Sequence, residues 1–406
     1  MKMINNIAVI GAGASGISAA ISAARNGSAV DLYEHTDAAG SKILITGNGK
    51  CNFTNLNINS NCFHSRSDSN GRIRNIIGSF GYEDVKKFFE SIGIPGKERK
   101  GRIYPYTDTA DSVRTALILE LKKLDVKMLY GCGRIKLIPL LKGGIKVISE
   151  SFPEGRIYRN VIIACGGSAA HKTGSDGSGY EILKELGIDI TDIYPALTPV
   201  ILKEDLRELK GIRCEAALTL IDEKGNVTER SEGELQPFEN GLSGICALDI
   251  SGNACRMTGA GERAFVTVDF FPGCSDEEFI DMIRGRRESF KERNLNEQLN
   301  GLFPKKLIRY LIHPIDTRRD SFESELIQRV KHLRYEVSGD ILKDMSRAQT
   351  TAGGVALYEI DDNCMLKKQK GIYVTGELLD ADGICGGYNL HFAWATGYLA
   401  GYHASL

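Results

Sequence analysis

The feature that most constrains this chain is a glycine triplet set directly behind a short apolar run. Residues 7–10 read Ile-Ala-Val-Ile, and Gly11, Gly13 and Gly16 follow at G-x-G-x-x-G spacing. A short, continuous apolar run is the pattern of a strand buried on both faces, as in a parallel sheet. Gly11 lets the chain turn tightly, and Gly13 lets a pyrophosphate approach the backbone. Gly16 lets the next helix pack on the strand, with its N-terminus turned to the phosphates. The spacing alone is a weak signal, but its surroundings agree with it. A small-residue helix pattern runs from Ile17 to Arg25, Gly27 ends it, and Ala29–Tyr33 reads as the next strand. Glu34 closes this βαβ unit 23 residues after Gly11. A carboxylate there accepts both hydroxyls of an adenosine ribose and repels a 2′-phosphate. The nucleotide expected is therefore FAD or NAD rather than NADP.

Composition agrees with a chain that makes many tight turns. It holds 45 glycines but only 10 prolines in 406 residues, with no G-x-y period. Collagen, proline-rich disorder and coiled coils are excluded. The net charge of −1 argues against binding nucleic acid by bulk charge. The basic stretch Arg284, Arg286, Arg287, Lys291 and Arg293 reads as a solvated helix face. No apolar run approaches the ~18 residues of a membrane span, and the N-terminus shows no signal-peptide pattern. The ten cysteines include no C-x-x-C pair, which removes zinc ribbons and redox dithiols, and no metal site is expected. A cytoplasmic protein with reduced thiols is the simplest reading. Nothing in the sequence sets the oligomeric state.

Further along, residues 82–92 and 111–124 have helical spacing, with Asp111 placed to cap the second. Residues 126–130, 134–139 and 144–149 read as strands, and 161–165 repeats the buried-strand pattern. From about Pro195 to Gly273 the expectation is short antiparallel strands, with turns at Asp222–Gly225 and Ser251–Asn253. From Asp276 to about Asp344 the pattern is charged and helical, with caps at Ser275 and Asp276. After Ala352 the glycine-rich style returns, with a strand at 371–376 and a final helix from about Leu390 to Tyr402. This organisation predicts an α/β fold: a Rossmann-like dinucleotide-binding domain (1–194 and 346–406) interrupted by a β unit (195–275) and a helical unit (276–345).

Three more motifs belong to the outer domain. The run Thr46-Gly47-Asn48-Gly49-Lys50-Cys51-Asn52-Phe53-Thr54-Asn55 suits a loop that wraps a polar ligand with backbone N–H groups. Lys42, just before it, is placed to meet a phosphate or a flavin carbonyl. Ala164-Cys165-Gly166-Gly167 follows the second buried strand. Thr375-Gly376-Glu377, with Asp380, Asp382, Gly383 and Gly386-Gly387-Tyr388-Asn389, leads a strand through a glycine turn into a helix. That sets a second helix N-terminus, and its positive dipole end, at the ligand.

Together GAGASG, TGNGKCNFTN, ACGG…TGSDGSGY, TAGGV and TGELLDADGICGGYNLHFAWATG resemble the BaiN/RdsA-type family of bacterial NAD(P)/FAD-dependent oxidoreductases. Its relatives include a bile-acid flavoprotein and aminoacetone oxidases. The resemblance spans the whole chain. It implies FAD held by Gly11, Gly13, Ala14, Ser15, Gly16, Glu34, Lys42, Gly47, Asn48, Gly49, Cys51, Asn52, Ala164 and Gly166. It extends the set to Gly376, Glu377, Asp380, Gly383, Gly387, Tyr388, Asn389 and Leu390, with the last helix at the flavin pyrimidine. It departs from the family at Lys50 (usually Arg), His171 (commonly Pro), Pro237-Phe238-Glu239 (commonly Phe-Thr-His) and Ile245 (frequently Pro). The changes at 237–239 and 245 fall on the insert, so they bear on substrate identity.

No second G-x-G-x-x-G appears, so NAD(P)H, if used, docks transiently as a co-substrate. Candidate catalytic groups are few. The resemblance places Gly101-Arg102-Ile103-Tyr104-Pro105-Tyr106 near the flavin. There Tyr104 or Tyr106 is a proton donor and Arg102 an anchor for a carboxylate or carbonyl. Cys51 is a candidate nucleophile and His391 a candidate base. The leading expectation is an NAD(P)H-linked flavoenzyme moving a hydride through flavin N5 to or from a small organic or steroid-like substrate. The alternatives are an O₂-using amine oxidase of aminoacetone type and a flavin-dependent RNA-modifying or RNA-binding factor. The expected partner is a small-molecule substrate, with neither membrane nor nucleic acid.

Overall fold

In the computed structural model, which describes residues 6–313, 315, 316, 319, 321–343 and 345–406, the chain divides into two units. The first holds the residues up to Ile193 and Gln349–Leu406. Its centre is a five-stranded parallel sheet of β1 (Asn6–Ile10), β2 (Ala29–Tyr33), β3 (Lys127–Leu129), β4 (Asn160–Ile163) and β5 (Ile372–Val374). The order is β5-β4-β1-β2-β3, with Ile7 opposite both Asn160 and Val30. Ile7, Ala8, Val9, Val161, Ile162 and Ile163 have no exposed surface, as a strand covered on both faces requires.

Helix α1 (Ala14–Arg25) and helix α2 (Tyr388–Ser405) pack on each other through small residues. Ser18 Oγ donates to the Trp394 carbonyl at 2.9 Å and Ser22 Oγ to that of Tyr398 at 2.8 Å. A Cβ on Gly397 would collide with the Ser15 carbonyl, and one on Gly401 with that of Ala19. The close approach of the two backbones therefore depends on glycine. A three-stranded antiparallel sheet (Ile135–Pro139, Ile145–Ser149, Phe152–Tyr158) and a second one (Thr54–Asn55, Arg102–Pro105, Gly96–Arg99) complete the layers that matter here.

The second unit, Tyr194–Ala348, is built on a six-stranded antiparallel sheet. Its order is Val200–Ile201, Gly241–Ser243, Val227–Phe238, Cys214–Asp222, Ala264–Asp269, Leu333–Glu336. Val266 and Val268 of the sheet share one apolar cluster with Phe279, Leu307 and Leu326 of the later helices. The stretches 195–275 and 276–345 thus enclose a single core.

Two local expectations are corrected. Ser251–Asn253 is not a turn but the middle of a helix, Ile245–Gly259, inside the stretch read as antiparallel strands. Ser, Gly and Asn are poor helix formers, but Ile250 and Ala254 are buried in the core and carry the segment. Ser251 turns its hydroxyl back to the Leu248 carbonyl at 2.6 Å. Neither Asp111 nor Asp276 is a cap: one helix starts at Ala110, after Thr109, and the other at Asp276, after Ser275, so each acid lies in a first turn. Ser275 does cap Asp276–Ser289, through a reciprocal pair with Glu278.

Candidate functional site

At the end of β1 the chain turns at Gly11, whose φ is +103°. A Cβ there would lie 2.5 Å from the Ala164 carbonyl oxygen. A Cβ on Gly16 would collide with the Gly11 carbonyl and lie 3.2 Å from the Ala164 side chain. β1, α1 and the end of β4 are thereby drawn against one another. Gly13 is the exception, because a Cβ on it would meet nothing within 4 Å. It is also the N-cap of α1, with no side-chain cap and no acidic residue in the first turn. The amides of that turn are therefore left to a ligand, and their dipole favours an anion.

Glu34 is 8% exposed and accepts from the Ala12 amide at 2.9 Å and from the Thr36 amide and hydroxyl at 2.8 Å each. These bonds fix the carboxylate beside the turn. Gly376 has φ +68°, and a Cβ there would lie 2.6 Å from Ser15 Oγ. Gly167 faces Thr351 and Glu377, and Glu377 accepts from the Thr351 amide and hydroxyl at 3.0 Å. The ends of β1, β4 and β5 so meet at the start of α1.

The second cluster lies at the start of α2. Its N-cap is Gly387, φ +93°, again without a side-chain cap or a first-turn acid. A Cβ on Gly387 would lie 2.8 Å from Asn52 Oδ1. The 46–55 loop is wound tightly, with left-handed backbone at Gly47, Asn48, Gly49 and Cys51. Asn55 Nδ2 donates to the Gly386 carbonyl at 2.9 Å, and Asn389 clamps Gly383 with bonds of 2.8 and 2.7 Å. Asp380 has no exposed surface, and its Oδ2 accepts from Ser65 Oγ, the Arg66 amide and Ser67 Oγ. Thr36, Thr351 and Ser65–Ser67 all carry weight in this site; Thr351 entered the sequence analysis only within the motif TAGGV, and Thr36 and Ser65–Ser67 not at all. Threonine and serine at loop positions give no signal until their carboxylate partners are known.

Three expected roles change. Cys51 is fully buried, and burial pushes its thiol up to about 12. A nucleophile needs the thiolate, which burial disfavours here, and what Cys51 gives the loop is a left-handed turn at φ +57°. His391 is fully buried too, and burial lowers its pKa to about 4. Its Nε2 stands 3.1 Å from the Phe80 carbonyl, so that nitrogen carries the hydrogen. Nδ1 then accepts from Thr54 Oγ1 at 2.7 Å. With both nitrogens engaged, His391 ties α2 to the loop and is not a base. Lys42 Nζ is bound to Glu377 Oε2 at 2.6 Å and to the Ala169 carbonyl at 3.2 Å, rather than held free for a phosphate. Tyr106 is 70% exposed, with the Lys97 ammonium 5.4 Å from its ring centre. Arg102 and Tyr104 lie half-buried on the strand Arg102–Pro105. Among the described residues no group of metal-ligating side chains is found, and no helix is long and apolar enough to cross a membrane.

An extended dinucleotide such as FAD fits these residues. Two glycine-capped helix starts offer uncapped amides. Two buried side-chain oxygens, Asn52 Oδ1 and Asp380 Oδ1, have no hydrogen-bond partner, and buried polar atoms of this kind call for one. Comparison with known proteins agrees with the architecture. The model of the HI0933-like protein Rossmann domain matches residues 5–403. The chain belongs to the HI0933-like family. Within it, the chain is 36% identical over 412 residues to the 3-dehydro-bile acid delta(4,6)-reductase of Clostridium scindens, covering 98% of each. It is 27% identical to the ribosomal RNA dihydrouridine synthase of Haemophilus influenzae, again over 98% of each chain. Among solved structures, 3-ketosteroid delta1-dehydrogenase from Sterolibacterium denitrificans shares the fold at a TM-score of 0.53, with 12% identity and 99% of both chains covered. This HI0933-like chain therefore has the fold of an FAD-dependent oxidoreductase.

Proposed function

We propose that this protein is an FAD-dependent reductase that saturates a carbon–carbon double bond conjugated to a carbonyl in a steroid-like substrate, with NAD(P)H as electron source. The observation that carries the reading is the 36% identity, end to end, to a relative named for reducing a 3-dehydro-bile acid. The residues present support the cofactor. The first turn of α1 would take the pyrophosphate and Glu34 the adenosine ribose. Asn52 Oδ1 and Asp380 Oδ1 would accept from the cofactor's hydroxyl or N–H groups. The start of α2 would set a positive dipole end at the flavin ring. Bound there, FAD supplies hydride transfer. The chain supplies position, charge and exclusion of water. All ten cysteines are free thiols, which supports a reducing, cytoplasmic setting.

The test is anaerobic photometry of the FAD-loaded protein. NADH or NADPH is expected to bleach the flavin, and a 3-oxo-4-ene steroid to restore its colour. Bleaching by an amine such as aminoacetone, with none by NAD(P)H, overturns this reading in favour of an oxidase.

A second reading is reduction of uridine in ribosomal RNA, which the synthase relatives at 27% and 26% identity support. The uracil 5,6-double bond is also conjugated to a carbonyl, so the chemistry is of one kind. The basic stretch 284–293 lends this reading little. Arg284 is paired with Glu323 at 2.6 Å, and Arg286 donates to the Gln298 and Asn300 carbonyls. Recovery of flavin colour on adding ribosomal RNA, with none on adding the steroid, establishes the second reading against the first.

A further inference from the structure

Arg102 and Tyr104 sit on the middle strand of the small antiparallel sheet, with Ile103 and Pro105 buried between and beyond them. Side chains alternate along a strand, so Arg102 and Tyr104 share one face. Opposite residues of an antiparallel pair lie on the same side. Arg102 is opposite Asn55 on one flank and Arg99 on the other, and Tyr104 is opposite Lys97. Asn55 joins this face to the Gly386 carbonyl, one residue before the N-cap of α2. The pair therefore stands beside the loop that opens the helix assigned to the flavin ring.

The surrounding cations are already committed. Lys97 and Arg99 both reach Asp108 Oδ2, at 2.5 and 2.7 Å. The Glu98 carboxylate is turned to the Gly101 amide. Of the hairpin's half-buried polar side chains, Lys97 is paired, whereas Arg102 and Tyr104 have no hydrogen bond, ion pair or ring contact among the described residues. An arginine kept for stability is expected to have such a partner, and this one is left for something outside the chain. Asp108 is already shared by Lys97 and Arg99, so the Arg102 guanidinium is the charge on this face left to meet an electron-rich oxygen.

We infer that Arg102 and Tyr104 form the carbonyl-binding and proton-delivering pair of the reaction. This rests on the reductase reading above, and it serves a steroid enone and a uracil carbonyl alike. FAD, bound in its reduced form, would supply a hydride to the β-carbon of the conjugated double bond. The π bond breaks, and its electron pair moves onto the carbonyl oxygen. The Arg102 guanidinium holds that charge as a charge-assisted hydrogen bond. The Tyr104 hydroxyl gives its proton to the α-carbon, forming the second C–H bond. Tyrosinate then regains a proton from water, so two electrons and two protons have been added.

The experiment uses the FAD-loaded full chain as wild type, R102M, R102K and Y104F, with R99M as control. FAD content and thermal midpoint are measured first, and R102K keeps the test open if R102M fails to fold. Oxidised protein is titrated with 2-cyclohexen-1-one, a 3-oxo-4-ene steroid and a uridine-containing ribosomal RNA fragment, read by the flavin absorbance shift. Dithionite-reduced protein is then mixed with each. R102M is expected to weaken binding of the reactive probe about 10- to 100-fold, with partial rescue in R102K. Y104F is expected to leave binding unchanged, slow flavin reoxidation about 100-fold or more and abolish its solvent isotope effect. R99M is expected to match wild type. If R102M and Y104F match wild type on a probe that wild type reduces, the pair is overturned and the reductase reading stands. If wild type binds and reduces none of the three, both fall together.

Discussion

Glycine does two kinds of work, in different proportions in the two units. In the first, Gly11, Gly16, Gly376, Gly387, Gly397 and Gly401 stand where a single added carbon would strike a neighbouring atom. For Gly11, Gly397 and Gly401 that neighbour is the backbone of a distant segment, at Ala164, Ser15 and Ala19. In the second unit Gly241, Gly244 and Gly259 are of that kind too, but Gly211, Gly225, Gly261, Gly273 and Gly301 all have positive φ, and an added carbon there would meet nothing within 4 Å. Those five only let the chain reverse. One composition excess therefore hides two causes, close approach of backbones and punctuation of turns. Only the first cause marks a site.

The comparison breaks first at Gly16. G16V would drive side-chain carbons into the Gly11 carbonyl and the Ala164 methyl. The expected cost is about 3 kcal/mol or more, read as a collapsed thermal midpoint and protein purified without flavin. If G16V melts like wild type, close approach is not what this glycine provides.

Acid separates the units next. His391 has its pKa lowered to about 4, so folding favours its neutral form. Its contribution is complete above the ordinary histidine pKa of about 6.5 and is lost as pH falls toward 4. The loss amounts to about 3 kcal/mol. In the second unit Glu336 is held at about 2 by hydrogen bonds from Arg263 and Lys203. That contribution is present above the ordinary glutamate range and disappears only as pH falls toward 2. A urea-unfolding series from pH 7 to 3 should show the first unit weakening first, and H391N should flatten that early slope. An unchanged slope in H391N would show that another group titrates there.

Glu34 tests the ligand side. Glu34→Ala leaves the Ala12 amide without its acceptor and removes the proposed ribose contact. FAD affinity, measured by fluorescence titration of flavin-free protein, should fall about tenfold or more.

The smallest effects sharpen the contrast within the second unit. Gly285 lies inside the helix Asp276–Ser289, in open space and without positive φ. Gly285→Ala should stabilise that unit by about 1 kcal/mol. Gly225, at φ +86°, should lose about 1 kcal/mol on the same change. Paired urea midpoints of opposite sign would confirm that turn glycines act through backbone freedom alone.

Sequence made the first unit's frame legible because its signals are local. The run before Gly11, the spacing to Gly16 and the carboxylate at 34 are set by one βαβ unit. The helix Ile245–Gly259 was not legible, since its small and polar residues are held helical by the core around them. The inertness of Cys51 and His391 was hidden for a related reason. Burial is decided by segments far away, such as the Phe80 carbonyl against His391, 311 residues apart. The brace of Asp380 by Ser65 and Ser67 spans more than 300 residues and left no trace in spacing.

The contact between α1 and α2 has a kinetic meaning. Ser18 and Trp394 touch across 376 residues of chain, and they join the two helices whose starts are assigned to the proposed dinucleotide. Contacts so distant form late, because the entropy of closing the loop must be met before they help. A growing chain can build β1, α1 and β2 early, yet it holds only half a cradle until residues 388–405 have emerged and docked. Cofactor capture then becomes a late step of folding, and a nascent chain is expected to be protease-sensitive at α1 until that helix arrives.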